Sequence, residues 1–77
     1  MKIKVLFFAR LAEISQVNEI ELNDIGTTSA LIEHLGIHYP QMMEIKFAVA
    51  INKQISGDMS ELHNGDVVAL IPPFSGG

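Results

Sequence analysis

The chain has 77 residues, 48% of them hydrophobic and 18% charged, a formal net charge of −4 and no cysteine. That length permits one domain, residues 1–77, near the lower limit at which a single core suffices, and the apolar content favours a folded globule over disorder. The missing cysteine excludes a disulfide framework, a thiolate metal site and a cysteine nucleophile, while the acidic balance without Lys or Arg clusters speaks against nucleic acid or a membrane surface as partner.

The opening "MKIKVLFFAR" resembles a secretion signal only superficially. Arg10 interrupts the apolar run "VLFFA" well short of the about 7–15 residues a signal core needs. Nor does any stretch approach the about 20 apolar residues that span a bilayer. A cytoplasmic location is therefore expected. Ile3, Val5 and Phe7 alternate with Lys2 and Lys4, which predicts a first strand with the apolar set facing a core. Leu6 and Phe8 then share the outward face with the lysines. Such a pair calls either for a cover from elsewhere in the chain or for a partner surface.

"ARLAEIS" has helix-forming residues for a turn or so, and "VNEIEL" alternates well enough for a second strand. After the turn residues "NDIGTT", Thr27 or Thr28 can cap a helix through its hydroxyl. The helix follows in "SALIEHLGIHYP", where Ala30, Leu31 and Leu35 share a face, Gly36 offers a C-terminal stop and Pro40 cannot continue. "KFAVAINK" predicts a buried strand, with Phe47, Val49 and Ile51 alternating with Ala48 and Ala50. A turn then leads to a short strand around Ile55, and a turn at Asn64–Gly65 precedes a last strand from Val67 to Ile71. This order predicts an α+β fold with the helix packed on one face of the sheet. The first and last strands are the most apolar, so they belong side by side in the middle, and the C-terminus leaves from the centre of the sheet.

Autonomous catalysis has no support in the sequence. His34 and His38 are four apart, but Gly36 lies between them, nothing completes a metal site and His63 falls in a turn. Ser15, Ser29, Ser56, Ser60 and Ser75 lack a nucleophile-elbow context, and no phosphate-binding glycine motif is present. The nine acidic residues are scattered and read as a solvated surface.

What stands out is the ending "ALIPPFSGG". Pro72 and Pro73 fix φ, cannot donate to a strand ladder and push Ile71 toward extended backbone, so pairing should stop there and residues 72–77 should project as a tail. Phe74 is an apolar group on that arm, which either docks into a partner or folds back onto Phe8 or Leu6. Ser75, Gly76 and Gly77 are slender enough to thread a channel closed to ordinary side chains. The last group is an unhindered carboxylate, inert until activated, for instance as an acyl-adenylate; exchange of one oxygen for sulfur then yields a thiocarboxylate.

"KVLFFARLAEI", "AVAIN" and the gapless Gly65–Gly77 ending resemble the small, sulfur-carrier subunits of molybdopterin synthases, over essentially the whole chain. The match is weakest over residues 15–45. The resemblance implies a ubiquitin-like β-grasp fold, a mixed sheet with one main helix on one face and a projecting tail. It also implies that an E1-like adenylyltransferase uses ATP to activate Gly77, that a sulfur donor converts it to a thiocarboxylate, and that the small subunit itself binds no cofactor. The loaded tail would enter the large synthase subunit, which builds the dithiolene of molybdopterin from cyclic pyranopterin monophosphate within an assembly of two small and two large subunits. Phe8, Ile55 and Ile71 match an apolar docking patch of the family. Outward placement of Phe8 follows from the first strand's own alternation, whereas the uniformly apolar last strand leaves Ile71 undecided without the resemblance. Three other readings keep the same fold: a carrier for another product, such as the thiazole of thiamine; a protein modifier that forms isopeptide bonds; and a small binding domain whose tail has no chemistry.

Overall fold

The computed structural model describes residues 1–56 and 60–72. Strand β1 (Lys2–Phe7) leads through a short helix α1 (Arg10–Ser15) to β2 (Glu19–Asn23), then to the main helix α2 (Thr28–His38) and a 3-10 turn over Pro40–Glu44. Strands β3 (Ala48–Ile51), β4 (Gln54–Ile55) and β5 (Val67–Ile71) complete one five-stranded sheet of order β2-β1-β5-β3-β4. Strand β1 pairs with β2 antiparallel and with β5 parallel, and β3 pairs antiparallel with both β5 and β4. A mixed sheet with a central parallel pair and one covering helix is the β-grasp arrangement. As expected, β1 and β5 are neighbours in the interior, and β5 delivers the chain to Pro72 from the sheet's centre.

The core lies between the sheet and its helices. Ile3, Val5 and Phe7 of β1 and Val68 and Leu70 of β5 point to the same side and are buried against Leu11, Leu31, Leu35, Met42 and Leu62. Burial of this apolar area drives the collapse, and the period-two alternation of β1 settles which face is chosen. Phe7 also meets Tyr39 edge-on, with ring centroids 5.9 Å apart.

Thr27 is the residue that caps α2: its hydroxyl accepts from the Ala30 amide at 3.1 Å. Thr28 instead lies buried in the first turn, where its hydroxyl accepts from the Ser60 amide at 3.0 Å. Gly36 does not stop the helix, which runs two residues further to His38. A Cβ at Gly36 would meet the Met43 side chain at an ordinary contact distance of 3.4 Å, so neither close packing nor backbone conformation requires glycine there. Pro40 supplies the actual break. Strand β3 is less buried than its composition suggests. Phe47 lies just outside it, Val49 and Ile51 are half-buried, and only the small Ala50 is sealed, between Ala69 and Ile55.

Candidate functional site

The sheet face away from the helices divides into two halves. On β1 and β2, Lys2 and Lys4 stand opposite Asn23 and Glu21, and form ion pairs of 3.8 Å to Glu21 and 3.7 Å to Glu19. Across β5, β3 and β4 the same face is apolar. Leu6 pairs with Ala69, Ala69 with Ala50, and Ala50 with Ile55. These residues, with Phe8, Val67 and Ile71, line a hollow of about 510 Å³. Phe8 is 46% exposed and Ile55 68% exposed.

Each anchor is held by its own element. Phe8 leaves the end of β1, where the Leu11 amide donates to its carbonyl at 3.0 Å. Ala9 follows with φ 52° and ψ −126°, the first central position of a type II′ turn, which throws the Phe8 side chain outward as α1 begins. Ile71 faces the hollow because Val68 and Leu70 are committed to the core, which settles the alternation that five consecutive apolar residues leave open.

Ile55 depends on the β3–β4 hairpin, and that hairpin is tied to the start of β5. The Asn52 amide donates to the Val67 carbonyl at 2.8 Å, and the Val67 amide donates to Asn52 Oδ1 at 3.0 Å. Asn52 Nδ2 donates to Asp66 Oδ1 at 2.9 Å, and the His63 amide donates to Asp66 Oδ2 at 2.8 Å. These two donors, the His63 amide first, hold the Asp66 carboxyl below the ordinary carboxylate range. Asp66 is therefore not one more solvated acid. It pins the loop before β5 to the hairpin that carries Ile55. In sequence it resembles the other eight acids; the only local signal is its place after the Asn64–Gly65 turn, where Gly65 has φ +88°.

Phe8, Ile55 and Ile71, expected to form one patch, thus meet at one hollow, and Pro72 follows directly at the end of β5. Pro73, Phe74, Ser75, Gly76 and Gly77 lie outside the described residues. The rings of His34 and His38 lie side by side on α2, with centroids 4.3 Å apart and planes tilted by 35°. Among the described residues no group of three histidine, aspartate or glutamate side chains could hold a metal ion, and no helix is long and apolar enough to cross a membrane.

The model of the ThiS family matches residues 5–77. The chain belongs to the ThiS family. Among curated relatives, the molybdopterin synthase sulfur carrier subunit of Chlamydomonas reinhardtii is 40% identical over 83 residues, covering all of both chains. A solved Pyrococcus furiosus protein assigned as molybdopterin converting factor subunit 1 superposes with a TM-score of 0.84 at 28% identity, over 95% of this chain and 98% of that one. The complex of subunits 1 and 2 of molybdopterin-converting factor from Helicobacter pylori contains a chain of the same fold, with a TM-score of 0.75 and 24% identity over the full length of both. This ThiS-family chain therefore shares its β-grasp architecture with proteins that bear the sulfur-carrier description, as the sequence resemblance implied.

Proposed function

We propose that the chain is the sulfur-carrier subunit of a molybdopterin synthase. The observation that carries the reading is the convergence of Phe8, Ile55 and Ile71 on one apolar hollow beside the point where β5 hands the chain to Pro72. A partner that fills the hollow would hold the domain next to its own catalytic centre while residues 72–77 reach inside. The full-length likeness to molybdopterin synthase sulfur carrier subunits supports this choice over a carrier for another product.

In this reading the Gly77 carboxylate attacks the α-phosphorus of ATP on an E1-like enzyme and releases pyrophosphate. A sulfide equivalent from the donor then displaces AMP and leaves a thiocarboxylate. The large subunit takes that sulfur for the dithiolene, and catalytic side chains belong to it. Docking gains about 25 cal/mol for each Å² of apolar surface removed from water, less the cost of immobilising two bodies.

Incubation with the cognate activating enzyme, ATP and a sulfur donor should raise the intact mass by one oxygen-to-sulfur exchange, localised to Gly77. Deleting Gly77 should abolish loading and leave the thermal midpoint unchanged. An unchanged mass, or a label elsewhere in the chain, would sink the carrier reading. A loaded chain that modifies lysines, yet yields no molybdopterin with a large subunit, would favour the modifier.

A further inference from the structure

Asn52 and Lys53 form the two-residue loop between the paired Ile51 and Gln54, and both have positive φ, 50° and 73°. This is the signature of a type I′ turn, whose second central position favours glycine because a side chain there crowds the backbone. Asn52 suits its place and uses its side chain on Val67 and Asp66. Lys53 has no such return: its side chain is exposed, and among the described residues it enters no hydrogen bond or ion pair. It does line the apolar hollow, alongside Phe8, Ile55 and Ile71.

Charge on this face is distributed unlike the rest of the molecule. The chain has five basic and nine acidic residues, yet among the described residues the strands of the open face set Lys2, Lys4 and Lys53 against Glu19 and Glu21. Lys2 and Lys4 are matched by those two glutamates. Among the described residues of this face, Lys53 is the cation without an ion pair, placed at the rim of a surface that excludes water once covered, where a single charge pair counts for more than on open surface.

We infer that Lys53 is an orienting cation of the docking face, which pairs with an Asp or Glu carboxylate flanking the apolar group that a protein partner sets into the hollow. The inference rests on the docking reading above and adds to it the chemistry of the partner: an apolar plug with an acid on the hairpin side. A lysine at the glycine-favoured turn position weakens the isolated domain and strengthens the complex.

The test measures binding of the full chain to the large synthase subunit of its own organism, by titration calorimetry and stopped-flow association across about 50–500 mM salt. Lys53→Met keeps the aliphatic stem and removes the charge. It should weaken binding about three- to tenfold, mostly through slower association, and flatten the salt dependence. Lys53→Glu should weaken it about tenfold or more. Lys53→Gly should lose affinity as Lys53→Met does while raising the thermal midpoint by a few degrees. Wild-type affinity and salt dependence in Lys53→Met and Lys53→Glu, alongside weakened binding by Phe8→Ala, would overturn the role of Lys53 and leave the docking face standing. A lowered midpoint in Lys53→Gly would show the lysine to be structural and likewise overturn it. A wild-type chain that does not bind the subunit at all overturns both readings.

Discussion

Ala9 has φ 52° and ψ −126°, backbone that glycine adopts freely and alanine does not. Strain of this kind costs about 1–3 kcal/mol, and a glycine adds about 0.4–1 kcal/mol of unfolded-state entropy, so Ala9→Gly should stabilise the domain by about 1 kcal/mol. Thermal denaturation should show a midpoint higher by about 4–8 °C; a lower midpoint would mean that the Ala9 side chain matters more than its backbone. Asp66 acts in the opposite direction. Removing its carboxylate in Asp66→Ala takes the acceptor from Asn52 Nδ2 and the His63 N–H, both exposed enough for water to replace it, and should cost about 0.5–1.5 kcal/mol near neutral pH. Because the folded state holds this carboxyl below its ordinary value of 3.8, its stabilisation is complete above that value and is lost as pH falls through the lowered one. Urea midpoints of wild type and Asp66→Ala should therefore differ clearly at about pH 7 and draw together as pH falls below the ordinary carboxylate value. A constant gap would show that the hydrogen bonds do not depend on ionisation. Neither residue announces itself in sequence. Asp66 is one of nine acids until the fold brings Asn52 beside it, and an alanine before a helix gives no sign of positive φ.

At the scale of elements, the two faces of the sheet use the same kind of side chain for different ends. Leu31 of α2 is fully buried, and Leu31→Ala should cost about 2–5 kcal/mol in equilibrium unfolding. Ile55 of β4 is mostly exposed, so Ile55→Ala should change stability by less than about 0.5 kcal/mol and lower affinity for the large subunit. Loss of stability in Ile55→Ala, or undiminished affinity, would contradict the assignment of that face to docking. Element identity and order were legible from periodicity, because β1 alternates cleanly and the turn residues punctuate the rest. Boundaries were less so. Gly36 carries the ordinary signal for a helix end, but α2 runs through it to His38 and gives way only at Tyr39, the residue before Pro40. Strand β3 read as buried on composition, yet burial is decided by neighbours, and a small Ala50 between Ala69 and Ile55 is covered more fully than the larger Val49 and Ile51.

For the whole molecule, the sheet order followed from one comparison, that the two most apolar strands belong in the middle. The hollow did not follow so directly. Phe8, Ile55 and Ile71 are spread over most of the chain, and alternation placed only Phe8; the other two required the register of β5 between β1 and β3 and the hairpin beyond it. That register also has a mechanical consequence. Strand β5 is hydrogen-bonded on both sides, parallel to β1 and antiparallel to β3, so a pull at Pro72 along the strand loads both ladders in shear. The bonds then share the force and fail together, whereas an edge hairpin pulled across its strands would unzip one bond at a time. A domain built this way withstands a pull at the end of β5 without unravelling, and the side chains it would have to drag through the core to fail, Val68 and Leu70, are fully buried.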